Sequence, residues 1–147
     1  MRVVIESDDF DPYLALSEYQ QTLRPGSYGA VVSFVGVMRD FNEDQNISAM
    51  TLEYYPGMTE RQIELVCQEA LAQYQIDDAL VVHRVGDITP DQPIVLVAVW
   101  SAHRAAAFDG CRYIINYLKQ RAPFWKSEKS SQGERWVAGN TEDPNAD

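Results

Sequence analysis

The segment 29–37, which reads GAVVSFVGV, is apolar at nearly every position. A strand that is exposed on one face alternates polar and apolar residues, whereas a continuous apolar run is typical of a strand covered on both faces. The run therefore predicts a central strand of a sheet, and its glycines predict close approaches of neighbouring backbone. A chain built around such a strand needs further layers on both sides of it.

The rest of the chain alternates between strand-like and helix-like patterns. Alternating or β-branched runs predict further strands, and apolar residues at intervals of three and four predict helices. The predicted strands are 2–6, 49–55, 79–85, 94–100, 124–128 and 134–137, and the predicted helices are 12–23, 59–74 and 102–122. Three helices among seven or eight strands predict an α+β domain with a mixed sheet.

Length and composition predict one domain. The chain has 147 residues, of which 46% are hydrophobic, and a chain of this length buries roughly two thirds of its unfolded surface. We expect the single domain to span 1–137, and the small, polar and acidic residues 138–147 to form a frayed tail. No run of about 18 apolar residues is present. Because the first residues also lack the apolar core of a signal peptide, we expect a soluble, cytoplasmic protein.

Positive charge is concentrated in the segment 101–136 of an otherwise acidic chain. The segment holds seven of the twelve Lys and Arg residues, including all three lysines, but only three of the twenty-two acidic residues. It therefore carries a net charge of +4 in a chain of net charge −10. Such a concentration is typical of a site for an anionic ligand, with a solvated basic helix face as the alternative. A nucleic acid is a poor candidate because the chain as a whole would repel a polyanion.

The start of the predicted helix 102–122 favours the anion site. Ser101 has the character of a helix N-cap, and His103 and Arg104 follow it in the first turn. Cations at this end oppose the helix dipole, so the arrangement is unfavourable unless an anion binds among them.

The two lysines that flank the end of this helix are the predicted pair for chemistry. Lys119 projects from the last turns, Pro123 stops the helix, and the chain returns to present Lys126. Seven residues that cross a helix end can bring two side chains to one pocket from different elements. Neighbouring cations and partial burial both lower the pKa of a lysine, so one neutral amine would be available for proton transfer. The alternative is that both lysines only make the surface soluble.

The cysteines and histidines do not form a recognisable reactive or metal-binding pattern. Cys67 and Cys111 lie on the apolar stripes of two predicted helices and lack Cys-x-x-Cys spacing, so we interpret both as buried structural residues. His83 lies within a predicted strand and is also interpreted as structural. With His103 as the one other histidine, we predict no metal site and no cofactor.

Five motifs together resemble one known family. They are FVGVMR at 34–39, LEYY at 52–55, HRVG at 83–86, SAHR at 101–104 and PFWKSE at 123–128, and the similarity extends over positions 29–137. In this order they are similar to the large, catalytic subunit of molybdopterin synthase.

The family resemblance implies an α/β hammerhead-like fold with an added β subdomain, and a sulfurtransferase activity in molybdenum cofactor biosynthesis. In this reaction cyclic pyranopterin monophosphate receives two sulfurs and becomes the dithiolene of molybdopterin. The donor is a small ubiquitin-like sulfur-carrier subunit with a thiocarboxylate on its C-terminal Gly-Gly, and its tail inserts into a pocket of the large subunit. The family assembles as a heterotetramer around a homodimer of large subunits, without nucleic acid or membrane.

The resemblance also implies the site residues. The lysines Lys119 and Lys126 are expected to transfer protons, to assist opening of the cyclic phosphate and to stabilise a developing oxyanion. The motifs leave open whether the cations of SAHR serve their own chain or the dimer mate, and in which order the two sulfurs are added. The alternative function is a non-catalytic module that binds a phosphorylated metabolite or a ubiquitin-like tail. The full set of expected substrate contacts is Val37, Met38, Arg39, His103, Arg104, Lys119, Lys126, Ser127 and Glu128.

Overall fold

The computed structural model describes residues 1–42 and 45–137, so the predicted frayed tail 138–147 lies outside the described residues. Three helices and nine strands occur in this part of the chain, which confirms the predicted α+β class. In chain order they are β1 (Arg2–Glu6), α1 (Pro12–Gln20), β2 (Ala30–Val37), β3 (Phe41–Asn42), β4 (Gln45–Tyr54), α2 (Met58–Tyr74), β5 (Asp78–Arg84), β6 (Gly86–Ile88), β7 (Pro93–Ser101), α3 (Arg104–Gln120), β8 (Phe124–Ser130) and β9 (Gly133–Val137).

The first sheet has the strand order β1-β5-β7-β2. It is mixed, as predicted, because β1 runs parallel to β5 while β7 runs antiparallel to both of its neighbours. The prediction that the apolar run 29–37 forms a central strand is wrong, because β2 lies at the edge and β7 takes the inner place. The continuous apolar character of β2 has two other causes. Helix α3 packs against β2, and the carboxyl end of β2 lines a cavity.

The two faces of this sheet carry separate cores. Helices α2 and α3 cover one face, where Ile63, Cys67, Val97 and Ile114 are almost completely buried. Helix α1 covers the other face, where Trp100 is completely buried. These cores fix the direction of α3 and thereby the position of its last turn.

The buried stripe of α3 is formed by Ala107, Cys111, Ile114 and Leu118, whereas Phe108 is 62% exposed. Small residues at the start of the stripe let the helix approach β2 and β7 closely, and the large ring of Phe108 points to solvent instead.

The second sheet has the order β3-β4-β8-β9, with β6 also paired to β4. Strands β8 and β9 pair antiparallel to each other, and each is longer than predicted. Met38, Ile47, Met50, Leu52 and Ile88 form a small core of this β subdomain. The sheet places β8 beside the end of α3, because only three residues separate these elements.

The predicted N-cap of α3 is wrong, because His103 and not Ser101 takes this position. The N-cap of α2 is Gly57, and Thr59 lies in the first turn. Ser101 ends β7, and its hydroxyl accepts a hydrogen bond from the His103 backbone N–H. The Thr59 hydroxyl instead donates to the Pro123 carbonyl at 3.1 Å, so it ties α2 to the start of β8.

None of the helices in the described ranges is long and apolar enough to cross a membrane.

Candidate active site

A cavity of about 320 Å³ opens between the two sheets, at the carboxyl end of β2. Its charged lining comes from three separate parts of the chain: Arg39 follows β2, Lys119 lies in the last turn of α3, and Lys126 and Glu128 lie on β8. The volume suits a small-molecule ligand. The apolar part of the wall includes Phe34, Val37, Met38, Phe41, Met50 and Ile94.

The segment that follows β2 is held rigidly in place. The Met38 backbone N–H donates to the Gln92 carbonyl, and the Met38 carbonyl accepts from the Asp91 N–H, both at 3.0 Å. The Met38 side chain is buried in the small core of the second sheet. Arg39 therefore leaves a fixed backbone, and its guanidinium carbon lies 4.9 Å from the ring centroid of Phe41. This cation–π contact orients an otherwise exposed side chain beside the cavity.

Lys119 is half-buried in the last turn of α3. Burial lowers the pKa of its ammonium below the ordinary value, and the nearby cations Lys126 and Arg39 lower it further. Both causes act in the same direction, because each disfavours the charged amine. The sequence predicts that two lysines from different elements meet at one pocket. Both side chains line this cavity, Lys119 from α3 and Lys126 from β8.

Glu128 is a buried carboxylate that anchors Lys126. Its side chain is 5% exposed, and its Oε1 lies 3.4 Å from the Lys126 Nζ. Asn42 Nδ2 lies within hydrogen-bond distance of both carboxylate oxygens, at 2.9 and 3.0 Å. Arg135 reaches the other oxygen from β9, at 3.6 Å. Since successive side chains of a strand alternate faces, Lys126 and Glu128 share the face of β8 that lines the cavity.

The cavity wall has an excess of positive charge. Among the residues that the structure describes, three cations, Arg39, Lys119 and Lys126, face one carboxylate, and the oxygens of that carboxylate are already taken by Asn42, Lys126 and Arg135. An anionic ligand would relieve the repulsion among the cations, and it would also favour the charged form of Lys119. The geometry therefore fits a phosphate, a carboxylate or a thiocarboxylate.

The structure brings together six of the nine expected substrate contacts and separates three. Ser127 lies on the opposite face of β8, where its buried hydroxyl donates to Glu134 at 3.2 Å. His103 and Arg104 lie exposed at the first turn of α3. Because a helix rises about 1.5 Å per residue, Arg104 is about 22 Å from Lys119 along the axis. The six that line the cavity are Val37, Met38, Arg39, Lys119, Lys126 and Glu128.

The sequence reasoning missed several residues of this site. Asn42 and Arg135 hold Glu128, but Asn42 is 86 positions away along the chain and no local pattern links the two. Phe34 lines the cavity from β2. It lies on the same face of the strand as Gly36, and this period of two could have indicated its position from the sequence.

The two cysteines are placed as predicted. Both are buried in the core between the first sheet and the helices α2 and α3, and both are free thiols. Burial raises the pKa of Cys67 to about 12 and that of Cys111 to about 11, so both remain protonated at neutral pH. A protonated thiol that is buried away from the cavity is a poor nucleophile.

Comparison with known proteins identifies the family. The family model described as MoaE protein matches residues 7–121. The chain belongs to this family. The molybdopterin synthase catalytic subunit of Ralstonia nicotianae is 45% identical over 144 residues, which cover 97% of this chain and 80% of the relative. The protein of the same name from Pseudomonas aeruginosa is 42% identical over 144 residues, with 97% and 94% covered.

Solved structures agree with this assignment. The molybdopterin biosynthesis MoaE protein from Burkholderia ambifaria superposes with a TM-score of 0.79 at 40% identity, covering 98% of this chain and 92% of that one. Molybdopterin synthase from Staphylococcus aureus gives the same TM-score at 27% identity, covering 94% and 98%. The family resemblance inferred from the five motifs, the fold that it implies and the sulfurtransferase class are thus confirmed.

Proposed function

We propose that this chain is the catalytic subunit of a molybdopterin synthase, and that the cavity at the end of β2 is its active site. The substrate would be cyclic pyranopterin monophosphate, which receives two sulfurs and becomes the dithiolene of molybdopterin. The observation that carries this proposal is the convergence of Arg39, Lys119 and Lys126 on one cavity with an excess of positive charge. A cyclic phosphate and a thiocarboxylate are both anions that such a wall attracts.

The sulfur would come from outside the chain. Cys67 and Cys111 are buried, protonated and absent from the lining of the cavity. A small ubiquitin-like subunit with a C-terminal thiocarboxylate supplies the sulfur in this proposal, and its tail would enter the cavity beside the pterin. This chain shares its fold with the molybdopterin synthase of Staphylococcus aureus, and that similarity supports the proposal.

The two lysines would have different roles. Lys119 has a lowered pKa, so its neutral amine is accessible and can accept a proton during addition of the thiocarboxylate. Lys126 is paired with Glu128 and is therefore held in position to bind the phosphate and to stabilise an oxyanion on the tail. Arg39 and the backbone of Val37 and Met38 would bind the substrate from the other side.

His103 and Arg104 fit this proposal as contributions of a second copy of the chain. None of the described strands pairs with the outer edge of β2, and antiparallel pairing of two such edges would set the start of one strand against the end of the other. The start of β2 lies next to these cations, because Ala30 pairs with Ser101. The end of β2, at Val37, adjoins the cavity. A twofold dimer of this kind would bring the cations of one chain toward the cavity of its mate.

A cytoplasmic location is part of the proposal. The two free, buried thiols are typical of a reducing compartment. Fractionation of cells that express the tagged chain would test it, and recovery in an oxidising compartment would contradict it.

Reconstitution tests the proposed reaction. The chain is mixed with cyclic pyranopterin monophosphate and a thiocarboxylated small subunit, and dithiolene formation is measured. We expect product with the thiocarboxylated subunit and none with the same subunit ending in an ordinary carboxylate. Binding of both partners without product would instead support a non-catalytic module.

A further inference from the structure

A second, smaller cavity lies behind the two lysines. Its volume is about 50 Å³, and it shares Met50, Ile94, Lys119 and Lys126 with the larger cavity. We call it the rear chamber. A volume of this size suits one or two water molecules, given that a water occupies about 30 Å³ in the liquid. Within residues 1–42 and 45–137, His83 is the one polar side chain in its wall apart from the lysines, and the remaining wall is formed by apolar side chains.

The His83 ring is held in one orientation. Its Nδ1 lies 2.8 Å from the Arg84 carbonyl oxygen. Since a carbonyl oxygen only accepts hydrogen bonds, Nδ1 carries the proton in this contact. The ring of Phe124 stacks on the imidazole with 3.9 Å between centroids and 16° between planes. The residue is 7% exposed, so packing holds the ring in place, while the hydrogen bond to the Arg84 carbonyl selects the tautomer.

This arrangement leaves His83 neutral, with one acceptor nitrogen. The pKa of His83 is lowered to about 4, mainly by burial and also by the charge of Lys119. The hydrogen bond to the Arg84 carbonyl acts in the opposite direction. A neutral imidazole that is protonated on Nδ1 has a lone pair on Nε2. Nε2 is thus the ring nitrogen that remains for the rear chamber, where the other polar groups are ammonium donors.

We propose that His83 is a positioning residue for Lys119, and that its Nε2 accepts a hydrogen bond from the Lys119 amine, directly or through one water in the rear chamber. The contact would hold the amine at the boundary between the two cavities, where it is required to accept a proton from the reacting groups. The role of Lys119 in that transfer rests on the proposed function, but the contact itself does not.

The contact has a defined electrostatic consequence. Arg39 and Lys126 face Lys119 from the segment after β2 and from β8, and both disfavour its charged form, while Glu128 on β8 is already paired. An acceptor on β5 would act in the opposite direction, because it stabilises the ammonium. Removal of that acceptor should therefore lower the pKa of Lys119.

Nuclear magnetic resonance of the lysine side chains tests the contact without any turnover. The chain has three lysines, so a sample labelled on lysine gives three assignable signals. In His83→Phe, which keeps an aromatic ring against Phe124, we expect the pKa of Lys119 to fall by at least half a unit. Lys129 should be unchanged. In His83→Gln, which keeps an acceptor, most of the shift should be absent. Identical Lys119 titration in wild type and His83→Phe would overturn the proposal.

A matched control separates positioning from packing. Val81 lies on the same strand two residues earlier, is completely buried and faces the same side of the sheet. Val81→Ala should reduce stability but leave the Lys119 titration unchanged. If His83→Phe does not fold, the nitrogen spectrum of wild-type His83 decides the question. A protonated Nε2 would overturn the proposal, and an unprotonated, hydrogen-bonded Nε2 would support it.

The kinetic test separates this inference from the proposed function. In the reconstituted reaction we expect His83→Phe to reduce the single-turnover rate about tenfold, with the apparent KM for the pterin nearly unchanged. One limb of the wild-type pH profile should be absent in Lys119→Ala. In His83→Phe the same limb should move to lower pH. A rate and pH profile like those of Val81→Ala would overturn the positioning role. If wild type itself forms no product while the Lys119 titration responds as expected, the proposed function fails and the contact stands.

Discussion

At the scale of single residues, the site separates two lysines by their surroundings. Lys126 is paired with Glu128, and the pKa of Lys119 is lowered by burial and by the nearby cations Lys126 and Arg39. Both observations follow from position, since Glu128 shares a strand face with Lys126 and α3 ends inside the cavity wall. This difference makes distinct predictions for the anchor of Lys126 and for the charge of Lys119.

The Glu128 carboxylate should be required for stability as well as for activity. Glu128→Gln replaces an acceptor by a group that also donates, so it leaves Arg135 and Lys126 without their negative partner and places an amide against the Asn42 amide. We expect the free energy of unfolding to fall by about 2 kcal/mol, as for loss of a buried charged partner. Denaturant unfolding measures this loss. The exposed Glu64→Gln is the control, and an equal effect of the two changes would refute the anchoring role.

The lowered pKa of Lys119 predicts how its replacement affects stability at different pH. The unfolded chain binds the Lys119 proton more tightly than the folded chain, so the charged amine costs stability below its folded pKa. As the pH rises through the folded pKa towards the ordinary value of 10.5, this cost disappears. We expect Lys119→Met to be more stable than wild type at pH 7, with the difference shrinking as the pH rises. Denaturant unfolding at several pH values, with Lys129→Met for comparison, measures this trend; a constant or growing difference would be inconsistent with it.

At the scale of elements, most helices and strands could be predicted to within a few residues, because their periodicity is local. The order of strands could not be predicted. The apolar run that forms β2 has the composition of a central strand but lies at an edge. The position of Ser127 could have been predicted, because the period of two in a strand separates it from Lys126 and Glu128. The contact between Asn42 and Glu128 could not, because it depends on pairing between β3, β4 and β8.

The edge of β2 leads to a prediction about shared sites. If His103 and Arg104 complete the cavity of a second copy, Arg104→Ala and Lys119→Ala should each be nearly inactive alone, and mixing and reassociating them should restore activity. Random pairing gives half heterodimers, each with one intact site of two, so about one quarter of the wild-type rate is the expected maximum. Measurement of dithiolene formation before and after mixing tests this. No recovery in mixtures shown to contain heterodimers would place both cations in their own chain.

At the scale of the whole molecule, an acidic chain carries a cationic cavity. The net charge of −10 and the excess positive charge of the cavity coexist because the positive residues concentrate at the end of α3, on β8 and after β2. Sequence composition revealed this concentration, whereas the fold was needed to show that Arg39 joins it from the first half of the chain.

The proposed external origin of the sulfur predicts that both cysteines are dispensable. Cys67 and Cys111 are buried and protonated, so a variant with both changed to Ala should lose stability but retain sulfur transfer within about threefold. Thermal unfolding and single-turnover rates measure the two effects separately. A folded double variant that has lost all transfer would mean that a thiol of this chain takes part.

The most direct measurement is single-turnover dithiolene formation by wild type, Lys119→Ala and Lys126→Ala with saturating thiocarboxylated partner. Lys129→Ala is the matched control, because Lys129 lies exposed on the same strand as Lys126 and outside the cavity lining. We predict that each cavity variant loses at least about 100-fold in rate, as for loss of an acid–base group, while the control stays within about threefold of wild type. Rates for Lys119→Ala and Lys126→Ala that match the control would contradict a catalytic role for this cavity.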